Sequence, residues 1–213
     1  MERRVFETAT PDKLDYLLWT PTDLREDERL PLLIFLHGAG ERGPVIDRLY
    51  VNGIPKIFSG EHPYRCVVVA PQCPAEETWF PYLHELHALI LHTIAQQHCD
   101  PARVSLTGLS MGGYGTWELA MAYPELFSAI APICGGGASW RSSLLKDLPI
   151  RVFHGSADDA VPVERSIEMV NAVRRAGGEV EFTIYHGAGH DVWTKAYEGT
   201  DLIAWLLSQK KKG

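Results

Sequence analysis

The most informative segment of the sequence is Gly108-Leu109-Ser110-Met111-Gly112. It follows the apolar run 103–107 and precedes a helix-like stretch at residues 113–122. Glycine neighbours let the backbone turn sharply between a strand and a helix, and they leave a serine hydroxyl exposed at the turn. The segment therefore predicts a nucleophile at Ser110. A helix N-cap is the alternative role for a serine in this position.

An aspartate follows a later strand-like segment. Residues 149–154 lead into Gly155-Ser156-Ala157-Asp158-Asp159, so a carboxylate lies just past the carboxyl end of that strand, where open α/β sheets carry their chemistry. We predict Asp158 as the acid that orients a catalytic base. Asp159 is the alternative acid, and a helix cap or an Asx turn is the alternative role for Asp158.

The base is predicted from chain order, since a nucleophilic serine is inert without one. Of the nine histidines, only His186 and His190 follow the acid. The strand-like segment 179–186 runs into Gly187-Ala188-Gly189-His190, which lifts His190 out of the strand. We therefore predict His190 as the base, with an ordinary surface-loop residue as the alternative.

Acyl transfer at a serine also requires two backbone N–H groups that stabilise the oxyanion. Met111, directly after the nucleophile, supplies the first. The second is expected in the loop after an earlier central strand, which reads His37-Gly38-Ala39-Gly40. We expect the Ala39 amide to act there, with Gly40 as the second choice, and an ordinary glycine turn is the alternative. His37 is expected to brace this loop by hydrogen bonding.

Five segments together carry a resemblance to a known family: His37-Gly38-Ala39-Gly40-Glu41-Arg42-Gly43, Pro71-Gln72-Cys73-Pro74, Gly108-Leu109-Ser110-Met111-Gly112-Gly113-Tyr114-Gly115, His154-Gly155-Ser156-Ala157-Asp158 and Ala188-Gly189-His190-Asp191. They resemble the phospholipase/carboxylesterase branch of the α/β-hydrolase family. More closely, the chain is similar to small bacterial esterases labelled predicted peptidase or polyhydroxybutyrate-depolymerase-like. The resemblance covers nearly the whole chain.

The resemblance implies roles for particular residues. Ser110 is implied as nucleophile, Asp158 as acid and His190 as base, with Ala39 and Met111 as the oxyanion hole. The doubled Asp158-Asp159 departs from the family pattern, which leaves Asp159 as the alternative acid.

Length and pattern predict an α/β fold with a mostly parallel twisted sheet and helices on both faces, because short apolar runs alternate with amphipathic stretches. The 213 residues are expected to form a single domain, 1–213, without a large lid insertion, since residues 135–148 read as a short loop with one small helix. Strands at 3–8 and 13–20 are expected to pair as an edge hairpin. Central strands are expected near 32–36, 66–70, 103–107, 129–133, 150–154 and 179–185.

Composition limits the partners. A net charge of −7 and a pI near 5.7 argue against nucleic acid or an anionic membrane. No segment approaches the ~20 apolar residues of a membrane span, and residues 1–6 lack the apolar stretch of a secretory signal. Four scattered cysteines do not suggest a disulfide scaffold. We expect a cytoplasmic protein with reduced thiols that acts on a small-molecule ester, and a homo-oligomer is possible.

Four aromatic residues in predicted loops at the catalytic edge are expected to wall an acyl or aryl pocket, with ordinary packing as the alternative for each: Trp79, Phe80, Trp140 and Trp193. Glu41 and Arg42, beside the oxyanion loop, are expected either to contact a polar leaving group or to pair with each other.

The function predicted is that of a serine carboxylesterase hydrolysing short-chain or aryl esters through an acyl-enzyme on Ser110. A serine peptidase or amidase with the same triad is one alternative, and a non-catalytic binding protein on a hydrolase scaffold is another. No cofactor is expected. No metal site is expected either, because His84-Glu85-Leu86-His87 lacks the spacing of a zinc motif.

Overall fold

The strands of the described residues form one sheet. A computed structural model describes residues 1–7, 13–25 and 27–211. The strands are β1 (Glu2–Glu7), β2 (Lys13–Trp19), β3 (Leu32–Leu36), β4 (Val67–Pro71), β5 (Val104–Leu109), β6 (Ala129–Ile133), β7 (Ile150–Gly155) and β8 (Val180–Tyr185). They lie in the order β1-β2-β4-β3-β5-β6-β7-β8. The six strands from β4 to β8 along this order are parallel to one another. Strand β2 pairs in antiparallel orientation with both of its neighbours, β1 and β4.

This topology confirms the predicted α/β class and the edge hairpin. Thr8, the predicted end of the first strand, lies outside the described residues. Strand β5 extends two residues beyond its predicted end, because Gly108 and Leu109 pair with Pro132 and Ile133 of β6. The strand consequently ends at the residue that precedes Ser110.

Helices cover both faces of the sheet, as predicted. They are α1 (Gly53–Phe58), α2 (Leu83–Gln96), α3 (Met111–Ala122), α4 (Glu164–Arg175), α5 (Trp193–Gly199) and α6 (Leu202–Ser208). Side chains of a strand point alternately to its two faces. In β3, Leu32, Ile34 and Leu36 pack in the apolar cluster that contains α2, α3 and α4 residues. Leu33 and Phe35 pack in the opposite cluster, with residues of α1, α5 and α6.

Two further features of the described part of the chain bear on predictions made from the sequence, namely its helix lengths and the segment between β6 and β7. None of its helices combines the length and the apolar character needed to cross a bilayer. Between β6 and β7, one 3₁₀ helix spans Ser139–Leu145.

The parallel strands bring the predicted site to one edge of the sheet. Ser110 follows β5, the loop of Ala39 follows β3, Asp158 follows β7 and His190 follows β8. Because these strands are parallel, their carboxyl ends lie at the same edge. Segments as far apart in sequence as Ala39 and His190 therefore meet there.

Candidate active site

Ser110 lies on a sharp turn between β5 and α3. Its backbone has φ 55° and ψ −117°, a conformation that a residue with a side chain rarely adopts and that the surrounding structure must impose. A Cβ atom at Gly108 would collide with the Gly112 carbonyl, and one at Gly112 would collide with the Leu36 carbonyl. Both glycines are therefore required by close backbone packing. The Ser110 side chain makes no capping hydrogen bond to α3, which argues against the helix-cap alternative.

The predicted base and acid converge on Ser110. His190 Nε2 lies 2.8 Å from Ser110 Oγ, and His190 Nδ1 lies 2.7 Å from Asp158 Oδ2. With Nδ1 donating its hydrogen to the carboxylate, Nε2 is free to accept the serine proton. The arrangement is thus a serine–histidine–carboxylate relay with hydrogen-bond distances throughout.

The carboxylate of the relay belongs to Asp158. Its side chain is buried, and Oδ1 accepts hydrogen bonds from the backbone amides of Ala160 (3.0 Å) and Val161 (2.8 Å). Burial raises the pKa of this carboxyl, but the hydrogen bonds from His190 and from the two amides outweigh burial and hold the pKa below its ordinary value. Asp159, in contrast, is exposed. The structure therefore brings Asp158, the preferred candidate, into contact with the histidine.

A second histidine contacts the same carboxylate, and it was missed in the sequence. His154, fully buried at the end of β7, has Nε2 2.8 Å from the Val161 carbonyl and 3.1 Å from Asp158 Oδ2. Both neighbours are acceptors, so Nε2 carries a hydrogen and donates it. Nδ1 lies 2.7 Å from Ser166 Oγ, on α4. His154 thereby ties the acid loop to a helix, and its position four residues before Asp158 was the signal available in the sequence.

The loop expected to complete the oxyanion hole lies against Ser110. A Cβ atom at Gly38 would be 3.6 Å from Ser110 Cβ. Ala39 begins a 3₁₀ helix, Ala39–Glu41, and Met111 begins α3. Amides in the first turn of a helix have no acceptor within the helix. The two expected donors, Ala39 and Met111, are therefore available to a developing oxyanion.

His37 braces this loop, in agreement with the prediction. Its Nε2 accepts a hydrogen bond from the Cys73 amide at 2.9 Å, and its Nδ1 lies 2.6 Å from the Gly38 carbonyl. Burial lowers the pKa of His37 to about 4, so the ring is neutral near pH 7. A neutral ring with hydrogen on Nδ1 satisfies both contacts.

Ser110 opens onto a cavity of about 540 Å³. Its walls are formed by Gly38, Ala39, Gly40, Glu41, Arg48, Val51, Asn52, Leu109, Ser110, Ala160, His190 and Trp193. Gly40, the second-choice oxyanion residue, is among them. Trp193 stands edge-on to His190, with ring centroids 5.2 Å apart, and its indole N–H donates to Asn52 Oδ1 at 3.3 Å. Trp193 therefore borders this cavity, and its contact with an acyl or aryl group stays a prediction.

The other three aromatic residues do not line this cavity, and their predicted role is corrected. Trp79 is fully buried, so it cannot line the cavity. Its indole N–H donates to the His37 carbonyl at 3.0 Å, and its ring packs against the His37 ring. Phe80 and Trp140 lie in a separate groove beside Tyr114. Both lie in short 3₁₀ segments, and Phe80 is 49% and Trp140 84% exposed. The positions of these residues in the sequence did not show whether they lie in the cavity of Ser110 or in the separate groove.

Cys134, His154 and Asp158 form a cluster whose geometry could hold a metal ion. Protein contacts already engage each of these residues: the Cys134 thiol donates to the His190 carbonyl at 3.2 Å, and the other two make the bonds described above. Burial raises the pKa of the Cys134 thiol to about 12, and a thiol binds metal as thiolate. All four cysteines of the chain are free and buried. The cluster thus fits a role in holding the acid and histidine loops together.

This geometry is that of a serine hydrolase of the α/β-hydrolase type, in which the nucleophile stands on a strand-to-helix turn and the acid and histidine follow later strands. Comparison with known proteins agrees. Residues 76–200, more than half of the chain, match the family model described as phospholipase/carboxylesterase. The chain therefore belongs to the phospholipase/carboxylesterase family of α/β-hydrolases.

The individual proteins that the chain resembles include a carboxylesterase, a depolymerase and an esterase of solved structure. The carboxylesterase SOBER1 of Arabidopsis thaliana is 31% identical over 133 residues, which cover 59% of this chain and 57% of that protein. Poly(3-hydroxyalkanoate) depolymerase C of Paucimonas lemoignei is 29% identical over 123 residues, covering 44% of this chain and 28% of that protein. A solved thermostable esterase superposes with a TM-score of 0.87 at 34% identity, covering 99% of this chain and 63% of the other. The chain thus spans less than two thirds of each of these proteins.

Proposed function

We propose that this protein hydrolyses carboxylic esters of short-chain or aryl type through an acyl-enzyme on Ser110. The observation that carries the proposal is the relay from Ser110 through His190 to Asp158, with contacts of 2.8 and 2.7 Å. Its opening onto a cavity gives a substrate carbonyl access to the hydroxyl. The names of the relatives, a carboxylesterase and a thermostable esterase, support the same reaction class.

The proposed reaction has two steps. His190 Nε2 takes the proton of Ser110 as Oγ attacks the ester carbonyl, and the Ala39 and Met111 amides hold the oxyanion that forms. His190 then gives this proton to the departing alcohol oxygen, which leaves an acyl group on Ser110. Water, deprotonated by His190, releases the acid and regenerates the serine. Asp158 keeps Nδ1 protonated and stabilises the imidazolium in both steps.

The proposed preference for small esters follows from the surroundings of the cavity. The segment between β6 and β7 contributes one short 3₁₀ helix, Ser139–Leu145, and Trp193 is the aromatic wall of the cavity among the described residues. We therefore expect p-nitrophenyl acetate and butyrate to be hydrolysed faster than the decanoate.

The test compares these three esters with aminoacyl anilides, using the native protein and the Ser110→Ala variant. We expect ester turnover, and a fall in kcat of about a thousandfold or more in the variant. Ser208→Ala is the matched control, because Ser208 is exposed at the end of α6 and should leave kcat unaffected. Ester hydrolysis that persists in Ser110→Ala would overturn the proposal, and faster cleavage of anilides than of esters would favour the peptidase alternative.

A further inference from the structure

A carboxylate outside the triad lines the cavity of Ser110. Glu41, the last residue of the 3₁₀ helix that follows β3, is 6% exposed and forms part of the cavity wall. Its neighbour Arg42 is directed elsewhere, with Nε donating to the Ala39 carbonyl at 2.9 Å and Nη1 to the Glu77 carbonyl at 3.0 Å. The two side chains thus do not pair with each other, which leaves the contact with a polar substrate group as the open role for Glu41.

The two oxygens of this carboxylate differ. Oε1 accepts a hydrogen bond from Asn52 Nδ2 at 2.7 Å, whereas Oε2 accepts no hydrogen bond from the described residues. A Cβ atom at Gly38 would be 3.3 Å from Oε2 and 3.6 Å from Ser110 Cβ. Oε2 therefore lies on the same side of Gly38 as Ser110, where it can accept a hydrogen bond from a donor supplied by the substrate.

Hydrogen bonds on the cavity wall hold Glu41 in this orientation. Asn52 donates to Glu41 Oε1 and accepts from the Trp193 indole at 3.3 Å. The Gln72 side-chain amide donates to the Glu41 carbonyl at 2.9 Å. These contacts join the oxyanion loop to the loop that carries the catalytic histidine. The position of Oε2 is consequently preorganised before a substrate binds.

The charges on the wall indicate which donor fits. Arg48 also lines the cavity, and no ion pair joins it to Glu41 within the described ranges. A cationic substrate group would be attracted by Glu41 but repelled by Arg48, and an anionic group would be attracted by Arg48 but repelled by Glu41, so the wall favours neither sign of charge. A neutral hydroxyl can donate to Oε2 without either penalty.

We propose that Glu41 is a specificity-determining residue that accepts a hydrogen bond from a hydroxyl group of the substrate, so that the preferred esters carry a free hydroxyl near the scissile bond. This inference rests on the proposed esterase function. The hydroxyl belongs either to the alcohol portion or to the acyl portion of the ester, and matched substrates separate the two.

The test uses two pairs of esters in which a methyl group replaces the hydroxyl. The alcohol-side pair is 2-hydroxyethyl butyrate and propyl butyrate, and the acyl-side pair is ethyl 3-hydroxybutyrate and ethyl 3-methylbutyrate. For each pair the measured quantity is the ratio of kcat/KM for the hydroxy ester to that for its methyl match. We expect a ratio of about ten or more for one pair in the native protein, since hydrogen bonds to charged groups discriminate on this scale.

Glu41→Gln is the decisive variant, because its amide oxygen can still accept from Asn52 while the charge and the acceptor at Oε2 are lost. We expect the ratio for the responsive pair to fall about tenfold. Glu61→Gln, which removes one negative charge at an exposed position, is the matched control and should keep the native ratio. Thermal unfolding establishes that each variant is folded.

Ratios near one for both pairs in the native protein, or ratios that Glu41→Gln leaves within twofold of native, overturn the inference. Calorimetric titration of each ester pair into Ser110→Ala protein, with and without Glu41→Gln, measures the same preference without turnover. Weaker binding of the hydroxy ester in the double variant supports the role of Glu41. Absence of turnover in the native protein counts against the proposed function, and the titration still decides the role of Glu41.

Discussion

Replacement of Asp158 by asparagine probes the relay at its most constrained position. Oδ1 accepts two backbone amides, from Ala160 and Val161, whereas Oδ2 faces His190. An NH₂ group at the Oδ1 position would face two N–H donors and lose two hydrogen bonds of about 1 kcal/mol each, whereas at the Oδ2 position it faces one such donor, His154 Nε2 at 3.1 Å. The asparagine oxygen is therefore expected to take the place of Oδ1. The NH₂ group is thereby directed at His190 Nδ1.

The consequence is a reversed tautomer of the base. With Nδ1 accepting from the asparagine, the ring hydrogen of His190 moves to Nε2, which then cannot accept the proton of Ser110. We expect kcat to fall by about 10⁴, equivalent to about 5 kcal/mol of transition-state stabilisation. KM should change little, because Asp158 does not line the cavity.

The assay measures kcat and KM for p-nitrophenyl butyrate, with thermal unfolding to verify that the variant is folded. Asp159→Asn is the control: this neighbour is exposed, and its replacement should keep kcat within about twofold, the usual range for a surface change. An Asp158→Asn variant that retains a tenth or more of native kcat, or a larger loss at Asp159, would refute the reasoning.

Two further predictions concern stability. Gly112→Ala forces a Cβ atom into the Leu36 carbonyl and should lower the free energy of unfolding by about 3 kcal/mol. Gly199→Ala is the control, because open space surrounds Gly199 and its replacement should leave the free energy of unfolding unchanged. Equal midpoints of urea unfolding for the two variants would contradict this prediction. Folding lowers the pKa of His37 to about 4, below its ordinary value, so the unfolded chain takes up a proton first as the pH falls from about 6.5. Stability should therefore drop by up to about 3 kcal/mol between pH 6.5 and 4. His37→Gln, which keeps an acceptor for the Cys73 amide, should lose less stability over that pH range in urea titrations. A loss of stability identical to that of the native protein would disprove the role of His37 in this pH dependence.

Much of the site was predictable because its parts are local in sequence. The glycines around Ser110 are required by backbone packing over a few residues, and the turn they permit is readable without tertiary information. The order of serine, acid and histidine follows from parallel strands whose carboxyl ends share an edge. Asp158 could be preferred as the acid on these grounds, but Asp159 could not be excluded. The features that distinguish the two, burial and hydrogen bonds from backbone amides, are not visible in a sequence.

The aromatic residues show where such reasoning fails. Trp79 and Trp193 were both predicted to lie in loops at the catalytic edge, yet one is buried beneath His37 and the other borders the cavity. The direction of a side chain from a loop depends on what packs against that loop, and the partners come from distant parts of the chain. For the same reason, the contacts of His154 and Glu41 could not be derived from their neighbours in sequence.

Local rules of backbone geometry and strand periodicity, which the amino-acid order expresses directly, were enough to determine the α/β architecture and to predict Ser110 as nucleophile and the order of serine, acid and histidine along the chain. Which of two adjacent aspartates is buried, which tryptophan borders the cavity and where the free oxygen of Glu41 points were decided only on folding. Those outcomes depend on side-chain packing and hydrogen bonding between segments far apart in the chain, and no local pattern encodes them.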